Sequence, residues 1–166
     1  MTPTRSTTYS DYRSNIKSGD VIAWSNVSAW YKNWYSFKVA LVRLFTRSEF
    51  THVAIAWIVG GRVFIIEAVV PLIRIMPLSN DLPAFVLPRD GGLSEEQLER
   101  ALKLVGKGKY SMAECALAYL AENDESDDRW ECAEFTSAIL GLKCIATPAK
   151  VVEHLMANGS ELIQIQ

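Results

Sequence analysis

The segment THVAIAWIVGGRVFIIEAVV, residues 51–70, constrains the fold more than any other stretch of this sequence. Two apolar runs rich in β-branched and aromatic residues flank Gly60-Gly61. A glycine pair between two strand-like runs predicts a β-hairpin with a two-residue turn. In this register Ala54 lies opposite Glu67, and His52 lies opposite Val69. The hairpin therefore determines which side chains can meet across the two strands.

The same hairpin places a candidate base beside an acid. Side chains alternate along a strand, so His52 and Glu67 share one face as diagonal neighbours, with Cα atoms about 7–8 Å apart. The Glu67 carboxylate can then accept the proton of one imidazole nitrogen and leave the other nitrogen to act as a base. Ala54 and Ala56 leave room on that face for another element. The alternative is a purely structural histidine at a strand end, and a one-residue slip of the register would separate the pair.

The rest of the chain predicts a single α+β domain, with strands in the first half and helices in the second. Further strands are expected at Val21–Trp24, in LIRIMPL, in AFVLPRD and in the terminal ELIQIQ. Helices are expected at 27–46 and in LSEEQLERALKLVGKGKY, SMAECALAYLAEN, WECAEFTSAILG and TPAKVVEHLMANG. Residues 1–15 are polar and predict a flexible N-terminal tail, so the domain is expected to span residues 16–166.

Composition and charge argue against several classes of protein. A net charge of −2 gives no basis for binding nucleic acid, which normally requires a basic surface. Neither a secretory signal nor a run of about 18 apolar residues appears, so no membrane span is expected. Three cysteines cannot form a fully paired disulfide set, which favours a reducing, intracellular setting. With two histidines and no acids clustered at ligand spacing, neither a metal nor another cofactor is expected.

Cys132 is the strongest candidate nucleophile among the three cysteines. Cys115 lies in the middle of an apolar helix and Cys144 lies in a short connection, which predicts structural thiols. Cys132 lies in the first turn of a helix for which Asp128 is the expected N-cap and Glu131 the capping-box acid. Backbone N–H groups at a helix N-terminus favour a thiolate and can receive an oxyanion. A neighbouring histidine would complete the activation of this thiol.

The segments SGDVIAW, SEFTHVAIAW, RVFIIEAVV, GKGKYSMAECAL and WECAEFTSAILG, in this order, carry a resemblance to a known family. The chain resembles the circularly permuted branch of the NlpC-type papain-like superfamily, which includes YiiX-like hydrolases and the lecithin:retinol acyltransferase group. The resemblance implies a permuted papain-like fold, in which a small antiparallel sheet or half-barrel packs against helices.

The resemblance also implies roles for individual residues. Cys132 matches the nucleophile, His52 the general base and Glu67 the polar third member. An acid at the third position is closer to YiiX-like proteins than to the acyltransferase group, whose members tend to carry a second histidine there. Three further residues are candidates for substrate binding: Asp20, Trp24 and Tyr110.

Two functions remain open from the sequence. The first is a papain-like thiol hydrolase or acyltransferase that cleaves a peptide or isopeptide amide, including cell-wall peptides, or an acyl-lipid ester. The second is a non-catalytic module on the same fold that binds a membrane or a partner. Residues 27–46 predict an amphipathic helix with an aromatic face and a basic back, which is typical either of core packing or of peripheral membrane contact. The expected location is the cytoplasm or a virion.

Overall fold

The structure is a computed structural model, and it describes residues 3–25, 49–69, 72–106, 131–142, 145 and 147–166. Several predictions lie outside the described residues. These are the amphipathic helix at 27–46, the helix in SMAECALAYLAEN, and the placements of Tyr110, Cys115, Asp128 and Cys144. Peripheral membrane contact through residues 27–46 therefore stays a prediction. Within the described part of the chain, no helix is long and apolar enough to cross a membrane.

The described residues form an α+β fold built on one mixed seven-stranded sheet, which confirms the predicted fold class. The strands are β1 (Arg5–Thr7), β2 (Val21–Trp24), β3 (His52–Val59), β4 (Arg62–Val69), β5 (Leu72–Pro77), β6 (Ala84–Leu87) and β7 (Ile163–Ile165), in the spatial order β1-β7-β6-β2-β3-β4-β5. The sheet is larger than the small antiparallel sheet that was expected. β1 pairs with β7 in parallel, whereas all other neighbours are antiparallel.

Four α-helices accompany the sheet in the described residues: α1 (Tyr9–Tyr12), α2 (Glu95–Leu104), α3 (Cys132–Leu140) and α4 (Pro148–Ala157). Short 3-10 turns follow α1 at Arg13–Asn15 and β5 at Leu78–Asn80. The starts of α2 and α4 follow the sequence signals. The Ser94 side chain accepts from the backbone N–H of Gln97 in a capping box at the start of α2. Thr147 caps α4, and proline occupies the first turn of that helix.

The β3–β4 hairpin has the predicted register. Ile55 pairs with Ile66, and Val59 pairs with Arg62 at the turn. Gly60 and Gly61 both have positive φ, 56° and 73°, which a tight hairpin turn requires at both central positions. The described pairs run from the turn to Ile55 and Ile66, and beyond them the side chains of His52 and Glu67 are in contact.

The two faces of the sheet bury separate cores. On one face, Val53, Ile55 and Ile66 pack with Phe135 and Ile139 of α3. On the other face, the buried cluster combines strand residues with the N-terminal segment, and it includes Ala54, Ala56, Ile65, Tyr12 and Ile16. Tyr12 and Ile16 thus belong to the same buried cluster as the two alanines. The helix that carries Cys132 packs against the opposite face of the sheet.

The flexible tail predicted for residues 1–15 is wrong for the described part of that segment. Arg5–Thr7 forms strand β1, which pairs with β7 so that Arg5 lies beside Ile163 and Thr7 beside Ile165. The polar side chains of β1 did not reveal this strand, because pairing at a sheet edge uses the backbone N–H and C=O groups. The side chains of Arg5 and Ser6 stay exposed.

Asp20 and Arg89 join three parts of the fold at the entrance to β2. The Asp20 carboxylate is 1% exposed and accepts from the backbone N–H groups of Lys17 (2.8 Å) and Arg89 (3.0 Å). The Arg89 guanidinium donates to the carbonyls of Gly19 (3.1 Å) and Leu140 (3.5 Å). Because Leu140 is the last residue of α3, this cluster ties the C-terminal end of that helix to the sheet.

Gly19 gives a direct test of this packing. A Cβ at Gly19, where φ is +97°, would lie 2.4 Å from the Gly92 carbonyl carbon, so backbone must move to admit it. We expect Gly19→Ala to lower the free energy of unfolding, measured by urea titration, by more than about 2 kcal/mol.

Gly61→Ala is the matched control. Its φ is +73° but nothing lies within 4 Å of the added Cβ, so it carries only the backbone cost, about 1–2 kcal/mol. An equal loss of unfolding free energy in Gly19→Ala and Gly61→Ala would contradict the close approach of Gly19 to Gly92.

Candidate active site

Cys132 is the first helical residue of α3, nearer the helix terminus than the sequence indicated. Asp128 was the expected N-cap, but the structure has Glu131 in that position. The Glu131 carbonyl accepts the first helical hydrogen bond from Phe135 at 2.8 Å, and the Glu134 carboxylate accepts from the Glu131 backbone N–H at 3.3 Å. The sulfur therefore belongs to the turn whose backbone N–H groups have no partner within the helix.

His52 joins Cys132 to Glu67. Its Nε2 lies 2.5 Å from Glu67 Oε2, and the charge and hydrogen bonding of the Cys132 side chain raise the pKa of the ring. An ionised carboxylate can only accept, so Nε2 is the donor to Glu67, and Nδ1 is the nitrogen left for the sulfur. The predicted contact between His52 and Glu67 is present, and Cys132 is its third partner.

Cys132, His52 and Glu67 do not all lie on one face of the sheet. α3 packs against the face of the sheet that carries Val53 and Ile55. Glu67 lies between Ile66 and Ala68 of that same face, so its side chain is on the opposite face. His52 is the first residue of β3, where the sheet ends. From this position the ring bonds to Glu67, and Cys132 in the first turn of α3 acts on its pKa.

Charge interactions with the sulfur and the carboxylate dominate the protonation of His52. Burial favours the neutral ring, but the charge and hydrogen bond of Cys132, together with those of Glu67, raise the pKa of His52 to about 10. The His52 side chain is 21% exposed and Cys132 is 6% exposed, so the imidazole is the more accessible of the two.

Arg74 is a fourth member of the site that the sequence reasoning missed. Glu67 on β4 pairs directly with Arg74 on β5, and Arg74 Nε donates to Glu67 Oε1 at 2.8 Å. Burial by itself raises the pKa of Glu67, but the hydrogen bonds and charges of His52 and Arg74 outweigh it and hold that pKa below its ordinary value. The signal was available, because one strand that ends at Val69 and another that begins at Leu72 bring Glu67 and Arg74 opposite each other.

Trp24 packs against the imidazole from the neighbouring strand. It pairs with His52 across β2 and β3, and the two ring centroids are 5.3 Å apart at an interplanar angle of 41°. The indole N–H donates to the backbone carbonyl of Asp81 at 2.7 Å, and Trp24 is 8% exposed. Trp24 was a candidate substrate-binding residue, but these contacts favour a role in holding the His52 ring.

Asp20, another candidate substrate-binding residue, does not join this cluster. Asp20 precedes β2 and its carbonyl accepts from Ala56, whereas His52 pairs with the last residue of β2. The two positions are separated by about 13 Å along the strand. Asp20 is buried in the cluster with Arg89 described above. Tyr110 lies outside the described residues.

Comparison with solved structures identifies a protein of similar architecture. The crystal structure of metalloprotein yiiX from Escherichia coli O157:H7 (DUF1105) superposes on this chain with a TM-score of 0.52 at 18% sequence identity. The match covers 90% of this chain and 88% of that chain. No family model and no curated protein sequence matches the chain. The chain therefore has a YiiX-like fold, which confirms the predicted resemblance at the level of the fold.

The protonation of His52 can be followed directly by ¹⁵N NMR of the imidazole. We expect His52 to be an imidazolium at about pH 8, because its pKa is raised to about 10. Cys132→Ala removes both the charge and the hydrogen bond of the sulfur, so the midpoint should move to lower pH.

His154, the other histidine of the sequence, is identified by the signal that disappears in His154→Gln. A wild-type His52 that titrates near its ordinary value of 6.5, with no change in Cys132→Ala, would contradict the pairing.

Proposed function

We propose that this protein is a thiol hydrolase or acyltransferase that acts on an amide or ester carbonyl through a thioester on Cys132. The observation that supports this most directly is the position of His52. Its ring hydrogen-bonds to Glu67 at 2.5 Å through Nε2, and the charge and hydrogen bonding of the Cys132 side chain raise its pKa. A nucleophile, a base and the group that orients the base are the three parts that covalent acyl transfer requires.

In the proposed reaction, the Cys132 sulfur attacks the carbonyl carbon after its proton has passed to His52. The carbonyl oxygen gains negative charge, and backbone N–H groups in the first turn of α3 stabilise it. The imidazolium then gives its proton to the departing amine or alcohol, and the thioester remains on Cys132. Water or another acceptor attacks the thioester, with His52 taking its proton, and the free thiol returns.

Glu67 is proposed to orient the imidazole and to stabilise its charged form. The carboxylate accepts from Nε2, so Nδ1 is directed toward the sulfur. At 1% exposure Glu67 is shielded from water, which strengthens its interaction with the ring relative to a surface pair. The same arrangement in a solvated loop would hold the ring less firmly.

The proposed substrates are those that the sequence left open. They are peptide or isopeptide amides, including cell-wall peptides, and acyl-lipid esters, since each presents a carbonyl to the thiol. An intracellular or virion location is part of the same proposal.

The solved structure with the similar fold is called a metalloprotein, which raises the question of whether these residues would suit a metal ion. Among the described residues, no group of three or more His, Cys, Asp and Glu is placed to hold one. In the site itself, Glu67 Oε1 is engaged by Arg74 and Oε2 by His52, and the imidazole carries a proton on Nε2. A charged imidazole is not a metal ligand. The residues do not fit a metal, and no step of the mechanism uses one.

The proposed nucleophile is testable with a thiol-directed acylating probe whose adducts are located by peptide mass spectrometry. Cys132→Ala should abolish labelling, and Cys115→Ala should leave it unchanged. His52→Gln retains the thiol but removes the base, so labelling at neutral pH should slow by about 10²-fold or more.

Two results would defeat the assignment. One is labelling that persists in Cys132→Ala. The other is a Cys132 that reacts equally fast with and without the His52 imidazole in a folded protein, as checked by circular dichroism.

A further inference from the structure

Arg74 contacts the site without a part in the chemistry proposed above. Its Nε donates to Glu67 Oε1 at 2.8 Å, and its side chain is 48% exposed. The two oxygens of Glu67 are thus held by different partners, Oε1 by Arg74 and Oε2 by His52. A carboxylate that is bound at both oxygens cannot rotate to present the other one to the ring.

We propose that Arg74 is a positioning residue, which keeps Glu67 a hydrogen-bond acceptor with Oε2 directed at His52 Nε2, so that Nδ1 can accept the Cys132 proton. This role rests on the proposed function of the site. It extends the arrangement from three residues to four, ordered Cys132, His52, Glu67 and Arg74. Arg74 acts through Glu67 and touches neither the sulfur nor the imidazole in this role.

Arg74 determines, through Glu67, which ring nitrogen of His52 carries the proton. A buried glutamate that loses a cationic partner tends to take up a proton. A protonated Glu67 would donate its O–H to His52 Nε2, and the ring proton would then lie on Nδ1. In that tautomer Nδ1 is a donor and cannot accept the proton of the Cys132 thiol. One proton on Glu67 would thus prevent the proton transfer that activates the nucleophile.

The charges around Glu67 make Arg74 important for this balance. Burial raises the pKa of Glu67, whereas His52 and Arg74 lower it through hydrogen bonds and charge. Asp81, which follows the 3-10 turn after β5, adds a negative charge that interacts with Glu67. Cys132 acts on the same network through His52. Without Arg74, the positive charge of His52 alone must offset the negative charges of Glu67, Asp81 and Cys132. Glu67 then takes up a proton more easily.

The geometry of the guanidinium matters as well as its charge. Arg74 lies directly opposite Glu67 in the β4–β5 register, and its Nε–H donates to one oxygen of the Glu67 carboxylate, Oε1. Lysine would supply the positive charge as a flexible point charge without this planar, directed donor. Arg74→Lys is therefore expected to restore part of the function, and Arg74→Met none of it.

The test is the pH dependence of alkylation of Cys132 by iodoacetamide, followed by peptide mass spectrometry so that the other cysteines do not interfere. Wild-type protein is compared with Arg74→Met, Arg74→Lys, Glu67→Gln and His52→Gln. Arg62→Met is the matched control, because Arg62 is an exposed arginine at the turn end of β4. We expect Arg74→Met to slow alkylation at about pH 6 by about tenfold and to move the acidic midpoint up by about one unit. Arg74→Lys should fall between Arg74→Met and wild type, and Arg62→Met should match wild type.

The outcomes separate this inference from the proposed function. If Arg74→Met matches wild type while Glu67→Gln and His52→Gln lose reactivity, the positioning role is wrong and the proposed function stands. If Arg74→Met and Arg62→Met lose reactivity equally, the effect is a general loss of charge, and the positioning role is again wrong. If His52→Gln has no effect at any pH, both the proposed function and the role of Arg74 are overturned.

Discussion

The rest of the site depends on the two contacts that hold the buried Glu67 carboxylate. An ionised carboxylate at 1% exposure carries a desolvation cost of several kcal/mol, which only well-placed partners offset. Arg74 and His52 supply these partners, one at each oxygen. Because the carboxylate is held in this way, the imidazole has one orientation, and its second nitrogen is available to the sulfur of Cys132.

The fold supplies the sulfur from the opposite side of the sheet. Helix α3 is held against β3 and β4 by fully buried side chains such as Phe135 and Ile139. At its other end, Arg89 donates to the carbonyl of Leu140 and so anchors the helix C-terminus to the entrance of β2. These contacts place the first turn of α3 at the end of β3. The site is thus assembled where a strand end, a helix start and the neighbouring hairpin come together.

Local patterns in the sequence were enough to predict much of this arrangement. The Gly60-Gly61 turn and the alternation along β3 and β4 determined the register, and the register placed His52 beside Glu67. The Ser94 and Thr147 caps are likewise local signals, since each side chain bonds to a backbone group three residues away. Cys132 stood out because it begins a helix, although the exact cap was misplaced to Asp128.

The remaining features depend on contacts between distant segments. Nothing local indicated that Arg5–Thr7 would pair with the last strand, because that contact joins the two ends of the chain. The sequence also does not indicate which face of the sheet α3 packs against, because both faces of β3 are apolar and either accepts a helix. Arg74 depends on the β4–β5 register, which aligns it with Glu67, whereas the Gly60-Gly61 turn determines only the β3–β4 register.

The most direct test of the convergence of sulfur and imidazole is the thiolate absorbance at 240 nm at neutral pH. The difference between wild type and Cys132→Ser isolates the contribution of this one sulfur from the other cysteines. The account predicts a thiolate signal in that difference, and its loss when the same pair of proteins also carries His52→Gln. A difference spectrum that is unchanged by His52→Gln would show that the imidazole does not act on the sulfur, and it would contradict the account.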